Sequence, residues 1–461
     1  MARKRLPPFE LEVTHLDRKG VGVGQHNGRV FRVRGAPPDS RVLVVPAGKR
    51  KGVWNGRRVH MVRPPPAYVR PACPVFGTCG GCVLQELSLE AQRSAKHAFA
   101  LGQVSRGPEV RVHELRGGSE AYGYRNKVEM SFGSSRFLTE ADHESGLPID
   151  GKFLGFHAPG RFDRVVDTVG CSLVHDTVGQ IVDIVRATAL QEGPPAWNPR
   201  AQVGFWRHLL LRRAEATGEI LVAIYTTSPT EDSQVGAVAA VAEAIHAHPN
   251  VVGVLWIRND GVADVARGEV ERVWGRDWIE ERLGEVTFRL SATSFFQTNT
   301  AAARVLYDTV GEAMGTCKTL LDLYCGIGSI GLYLAGQAER VVGVEEVAAA
   351  VEDARANAAR NGVSADYRCA RAEDALEAIS GGPGVAIVVD PPRAGLHPKV
   401  AKRLAGTSAD VLVYVACNPA SLGRDAEILA DGWVLTDLWT VDLFPQTGHI
   451  EMVGRFVRKS P

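Results

Sequence analysis

The chain has 461 residues, enough for two or three domains that each bury a core. No apolar run is long enough to cross a bilayer, and the opening MARKRLPPFE lacks the apolar segment of a secretion signal, so a cytoplasmic protein with no membrane partner is expected. The net charge of +1 conceals an asymmetry: residues 1–70 hold 16 Lys and Arg against 4 Asp and Glu, and the rest holds 37 against 48. A basic segment on a mildly acidic body points to a polyanion partner, most simply nucleic acid, because clustered cations gain affinity by displacing counterions from phosphates. In a reducing compartment the eight cysteines are metal ligands, nucleophiles or core residues rather than disulfides.

From Phe9 to Arg63 the pattern is one of short strands, FELEVTHL, RVFRVRG, RVLVVPAG and RRVHMVR, separated by turn-like stretches GVGVGQHNG and GAPPDS. Several short strands with Gly-rich turns predict a small β-barrel of oligonucleotide-binding type, and the segment resembles a TRAM domain, an RNA-binding barrel. Lys49, Arg50, Lys51, Arg57 and Arg58 would form its phosphate-contacting edge; Trp54 would be either a stacking surface or barrel core. Pro64, Pro65 and Pro66 end the unit as a stiff linker.

Next come Cys73, Cys79 and Cys82, spaced C-x5-C-x2-C with Gly80 and Gly81 between the last two. Three close thiols in a reducing setting point to a metal or cluster site, with Cys171 in DTVGCSLVH as the fourth ligand; spacing alone leaves zinc and iron–sulfur open. A helix over 88–105 and strands at YGYRNKVEMSF, KFLGFHAPGRFDRVVD, VGFWRHLLLRRA, EILVAIYT and VVGVLWIRN predict an antiparallel α+β domain over 67–285.

From Phe288 strands and helices alternate. The run TLLDLYCGIGSIGLYLA is a strand, a turn with Gly326, Gly328 and Gly331, and a helix; the following strand RVVGVEEV ends at Glu345, whose carboxylate suits a ribose diol. The turn lacks the third glycine of a pyrophosphate fingerprint at its proper spacing, which favours S-adenosylmethionine over a nicotinamide dinucleotide. The strand VAIVVDPP leaves Asp390 at a rigid proline corner. The strand VLVYVA delivers Cys417 onto a loop at the ligand-binding edge of the sheet, and Glu451 sits between Ile450 and Met452 in the final hairpin.

The motifs DLYCGIGSIGL, VVDPPRAGL, VACNPASLGRD and FPQTGHIEMV, with SFFQTN, YRNKVEMSF, the cysteines and the N-terminal segment, resemble the 5-methyluridine RNA methyltransferases over nearly the whole chain. The barrel and the cysteines together look like the 23S ribosomal RNA enzymes, whose cluster is [4Fe-4S], with the tRNA T-loop enzymes as the alternative. The resemblance implies an α/β architecture: a barrel at 1–66, the cysteine-bearing domain at 67–285, and a Rossmann-like class I methyltransferase domain at 286–461. It implies Cys417 as nucleophile, Glu451 as base, and Gln297, Tyr324, Ser329, Glu345 and Asp390 as contacts for S-adenosylmethionine. Tyr324 stands where some members have Phe, and Ser329 where many have Asn. A monomer that binds RNA is expected. Phe295, Phe296 and Arg393 are candidates to hold the target base, although the phenylalanines could equally be core. The competing readings are an RNA-binding assembly factor with a silent methyltransferase fold and an exocyclic-amine or DNA base methyltransferase.

Overall fold

The structure is a computed structural model and describes residues 7–168, 170–378 and 382–459. The chain gathers into two compact units: Met1–Pro71, Cys82–Ala121 and Ala301–Pro461 in one, Ala72–Gly81 and Tyr122–Thr300 in the other. This line falls at 300/301 rather than at 285/286, where the expected boundary cuts the turn of a two-stranded hairpin, Trp278–Leu283 with Val286–Ser291.

The first unit opens with a six-stranded sheet in the order Phe9–Glu12, Arg41–Arg50, Val53–Arg63, Arg29–Val33, Gly22–His26, His15–Leu16. The glycine-rich stretch expected as a turn is largely a strand. Its glycines serve close approach: a Cβ at Gly22 would lie 1.9 Å from the Ala36 carbonyl oxygen, and one at Gly24 2.1 Å from that of Glu12. The actual hairpin turn is Asn27-Gly28, both at positive φ, which matches the right-handed twist of the flanking strands. Leu11, Val13, Phe31, Val33, Val42 and Val44 fill the small core, with Trp54 packed at its margin.

The same unit holds a mixed sheet of parallel and antiparallel strands. Its order is Ala365–Cys369, Ala338–Glu345, Cys317–Leu323, Val385–Val389, Val411–Ala416, Glu451–Arg458, Trp433–Asp442, Arg111–Val112. The strands from Ala365–Cys369 to Val411–Ala416 run parallel, and Glu451–Arg458 inserts antiparallel between Val411–Ala416 and Trp433–Asp442. The chain leaves Cys317–Leu323 toward one side of the sheet and returns on the other, which makes the carboxyl end of that strand the switch point where open α/β sheets bind ligands. Leu321, Leu323, Val342, Ile387, Val389, Leu412 and Tyr414 are buried in its core.

The helix Leu89–Leu101, capped by Ser88, belongs to this unit and reaches into it with a charge. Lys96 is 1% exposed; its Nζ lies 2.5 Å from Asp442 Oδ1 and donates to the carbonyls of Phe444 and His449 at 3.1 Å. From the same helix, Gln92 Nε2 donates to Gln446 Oε1 at 2.9 Å, and Gln92 Oε1 accepts from the Gln446 N–H at 2.8 Å.

The second unit is a seven-stranded sheet in the order Val165–Asp167, Asp150–His157, Lys127–Ser135, Trp206–Arg213, Ile220–Thr226, Val251–Arg258, Glu269–Gly275. It is not wholly antiparallel as expected. Ile220–Thr226 and Val251–Arg258 run parallel, joined by the crossover helix Asp232–His246.

Removing one partner of a buried ion pair strands the other charge. Lys96→Ala should destabilise the protein by about 3–5 kcal/mol in denaturant unfolding, whereas a surface change such as Lys402→Ala should stay within about 0.5 kcal/mol.

Candidate active site

The strand Val411–Ala416 is apolar and almost entirely buried, and it ends where Asn418 caps and Pro419 opens the helix Pro419–Leu429. Cys417 is left, half-buried, at that junction. Antiparallel pairing with the last strand matches Val411 to Val457 and, at its end, Ala416 to Met452. The pairing ends there: Cys417 follows Ala416, Glu451 precedes Met452, and the Glu451 carboxyl lies within electrostatic reach of the Cys417 thiol. Glu451 is 3% exposed and pairs on its other side with Val441.

The neighbouring parallel strand pairs Val389 with Tyr414 and then ends at Asp390. Pro391 and Pro392 carry no N–H and stop the ladder there. The corner closes through Gly395, at φ +82°, whose N–H donates to the Pro392 carbonyl at 2.7 Å. Asn418 Nδ2 donates to the Arg393 carbonyl at 3.1 Å, tying the proline corner to the cysteine loop.

The charges of this edge act on one another. Burial, with Glu451 and Asp390 close by, pushes the Cys417 thiol up to about 12, and Arg393 opposes the rise. Burial and Asp390 raise Glu451 to about 8, again against Arg393, and burial raises Asp390 to about 7. The resting site therefore holds a neutral thiol beside carboxyls that ionise near neutrality. Arg393 is the cation that acts to lower both Cys417 and Glu451.

Beside it lies the glycine turn. Tyr324 sits at φ +64°, rare for a side-chain-bearing residue, and Gly326 and Gly328 follow at +54° and +80°. A Cβ at Gly328 would lie 2.4 Å from the Tyr367 hydroxyl, so the turn rests directly on that ring. Glu345, at its strand end, accepts from the N–H of Gly326 at 3.1 Å and of Val347 at 3.0 Å, which holds its carboxylate at the turn. Asp322, to which the sequence assigned no role, accepts from the Gly331 N–H at 2.9 Å and is raised to about 7 by burial. An acid inside the apolar run TLLDL was the available signal. Tyr324 and Glu345 line a cavity of about 590 Å³ with Arg371, Glu373, Leu396 and Arg424, a volume suited to a nucleoside. Ser329 opens the next helix, and its Oγ accepts from the Tyr307 hydroxyl at 3.0 Å. Tyr307 too went unremarked in the sequence, although it lies on the buried stripe of its helix.

Cys417, Glu451, Asp390, Tyr324, Ser329 and Glu345 all belong to the first unit. Gln297 belongs to the second, buried, its carbonyl accepting from Asn126 Nδ2 at 2.9 Å. Phe296 is core, packed on Phe288, while Phe295 is 68% exposed.

Cys73, Cys79 and Cys171 fall in the second unit and Cys82 in the first. Burial raises the Cys171 thiol and nearby Cys73 adds to the rise, while the N–H groups of Leu173 and Val174 act the other way. Cys79 Sγ accepts from the Gly81 N–H at 3.4 Å. Such N–H donors suit thiolate ligands. Among the described residues, however, no three His, Cys, Asp or Glu side chains are disposed to hold a metal ion.

On the N-terminal sheet, Arg58 is spent on a two-point ion pair with Glu86 at 2.6 and 3.0 Å, which removes it from the expected phosphate edge. The Arg50 side chain lies outside the described residues. Lys49, Lys51 and Arg57 are exposed. Trp54 is half-buried; it stacks on Phe31 and carries Arg29 and Lys49 over its ring at 5.6 and 5.9 Å. A cleft of about 570 Å³ collects Lys51 with Arg18, Lys19, Arg32 and Arg34, four cations outside the expected set.

Comparison with known proteins gives the family of the chain. Residues 290–414 match the family model "Methyltransferase small domain", and residues 384–460 match "tRNA (Uracil-5-)-methyltransferase". An uncharacterized RNA methyltransferase of Caldanaerobacter subterraneus is 35% identical over 96% of this chain and 97% of its own length. The tRNA (uracil(54)-C(5))-methyltransferase of Pyrococcus horikoshii is 31% identical, covering 96% of this chain and 99% of the relative. The crystal structure of the Pyrococcus abyssi tRNA (uracil-54, C5)-methyltransferase with S-adenosyl-L-homocysteine superposes with a TM-score of 0.77 at 27% identity, covering 97% of this chain and 99% of that one. The chain belongs to the S-adenosylmethionine-dependent RNA (uracil-C5)-methyltransferases.

Proposed function

We propose that the protein methylates carbon 5 of a uridine in structured RNA through a transient bond between Cys417 and carbon 6 of the ring. The observation that carries this reading is a thiol and a carboxyl at the same end of two paired antiparallel strands, the carboxyl within electrostatic reach of the thiol and both within reach of Arg393 and Asp390. Carbon 5 of uracil is too weak a nucleophile alone. The Cys417 thiol gives its proton to solvent as the ligands bind, the thiolate adds to carbon 6, and the electron pair of the ring double bond moves onto the carbonyl as an enolate. S-adenosylmethionine, when bound, supplies a sulfonium methyl. Carbon 5 takes that methyl as the methyl–sulfur bond breaks and S-adenosylhomocysteine departs with its electron pair; Glu451 then takes the proton from carbon 5, and the freed electron pair restores the double bond as the thiolate leaves. Tyr324, Ser329, Glu345 and Asp390 would hold the methyl donor, with Gln297 as a further contact.

For the RNA itself, the relatives whose names specify a base act on uridine 54 of tRNA. The horikoshii relative is aligned over 99% of its length to 96% of this chain, so an N-terminal module and a cysteine segment no longer single out ribosomal RNA. The tRNA T-loop is the first substrate by this reasoning, and 23S ribosomal RNA the second. The N-terminal segment acts as an RNA-binding barrel through the basic cleft, in a cytoplasmic monomer. Cys73, Cys79, Cys82 and Cys171 are inferred to close around a [4Fe-4S] cluster when it is present; the N–H donors at Cys79 and Cys171 favour thiolate ligation. No step of the reaction passes through that group.

Cys417→Ala should abolish turnover and fail to trap RNA carrying 5-fluorouridine, which the parent protein holds covalently. Glu451→Gln should lose at least about 10²-fold in rate while accumulating the protein–RNA adduct, because addition survives and proton removal does not. The base works as a carboxylate, so kcat/KM should rise with pH through about 8, the raised value of Glu451, rather than through the ordinary carboxylate range. Turnover by the alanine variant, or a profile flat from pH 6 to 9, refutes the mechanism. Mass-spectrometric mapping of 5-methyluridine in total RNA with and without the protein decides the target, a tRNA fragment being expected. Anaerobically purified protein should be brown with four irons per chain; a colourless protein with one zinc overturns the cluster assignment.

A further inference from the structure

The helix Thr300–Met314 turns Ala303, Leu306, Tyr307, Val310 and Met314 inward. Tyr307 is 2% exposed and meets Tyr333 edge-on at 5.6 Å. A phenylalanine would fill the same space, yet the hydroxyl is used: it donates to Ser329 Oγ at 3.0 Å. The buried carboxyls Asp390, Asp322 and Glu451 lie within electrostatic reach of that hydroxyl, so the pair sits at the reacting edge of the sheet.

A serine hydroxyl has one hydrogen to give and two lone pairs to offer. Tyr307 occupies one lone pair, which turns the Ser329 hydrogen away from it. Among the described residues that hydrogen has no acceptor. It belongs to a half-buried group at the first position after the glycine turn.

We propose that Tyr307 is a positioning residue for methyl transfer: by filling one acceptor site of Ser329 it fixes that hydroxyl as a donor to S-adenosylmethionine, whose carboxylate and ribose oxygens are the acceptors. The inference rests on the reading of Ser329 as a contact for the methyl donor. It also accounts for a short serine where a longer side chain would reach the ligand unaided: the tyrosine behind it holds the direction that length would otherwise provide.

The test is steady-state kinetics on the full-length protein with Tyr307→Phe, Ser329→Ala and the double variant, alongside calorimetric titration with S-adenosylhomocysteine. In Tyr307→Phe, the KM for S-adenosylmethionine should rise about five- to tenfold, the loss of one directed hydrogen bond. The KM for RNA, kcat and the thermal midpoint should stay near the parent's. Ser329→Ala should raise the same KM at least as far, and the double variant should be no worse than Ser329→Ala. If Ser329→Ala leaves that KM unchanged, the reading of Ser329 is wrong and the inference falls with it. If Ser329→Ala raises it and Tyr307→Phe leaves it within twofold of the parent, the reading stands and the role of Tyr307 is refuted. A parallel rise in the RNA KM with a lowered midpoint would make Tyr307 a packing residue only.

Discussion

Everything at the reaction centre depends on one strand register. Glu451 comes to the Cys417 end of the sheet because the last strand enters antiparallel beside the cysteine strand with Met452 opposite Ala416. A slip by one residue would send the carboxyl to the other face of the sheet. The loop that feeds this strand, Leu443–Ile450, is held accordingly. Lys96 takes two of its carbonyls while neutralising Asp442, and Gln92 exchanges two hydrogen bonds with Gln446, itself at φ +69°. Gly20, from the N-terminal sheet, approaches so closely that a Cβ there would lie 2.7 Å from the Gly448 Cα. A buried cation is costly to desolvate, and its use here is to specify one geometry.

The electrostatics of the site follow from that burial. Asp322, Asp390 and Glu451 are all raised toward neutrality, and Arg393 is the nearby cation. A crowded, desolvated set of acids gains most from a positively charged ligand, and a sulfonium is one. The same surroundings keep the Cys417 thiol protonated in the resting state, since both Glu451 and Asp390 disfavour its anion. A thiol held protonated in this way is protected from indiscriminate reaction with oxidants. The high thiol value is thus compatible with a nucleophilic role.

Much of this was legible in the sequence because it lies in contiguous runs with a physical reason for each residue. VLVYVACNP spells a buried strand and an abrupt stop, and DLYCGIG spells a strand and a turn. Lys96 was not legible, since nothing in SLEAQRSAKHAFA distinguishes its lysine from a solvated one; the partner carboxylate is 346 residues away. Glycines misled where close packing and turn formation share a residue type: Gly22 and Gly24 serve the former, Asn27 and Gly28 the latter. Arg58 looked free because its partner Glu86 lies beyond the triproline stretch. The parallel pair in the second unit was hidden for a similar reason, because apolar strands such as EILVAIYT carry no mark of direction.

The division of the chain also bears on what the catalytic sheet is. Residues 82–121 precede the methyltransferase motifs by some two hundred positions yet join their unit. They supply the helix with Lys96 and Gln92, and Arg111–Val112 pairs in parallel with Trp433–Asp442 at the sheet edge, through Asp437 and Leu438. Arg116–Gly117 pairs farther along the same strand, at Val441 and Asp442. Without these pieces Trp433–Asp442 would become an open edge next to the strand that bears Glu451. The loop before Glu451 would at the same time lose its buried cation. A segment cut at residue 286 would therefore keep Cys417, Asp390 and the glycine turn while loosening the one register on which their cooperation with Glu451 rests.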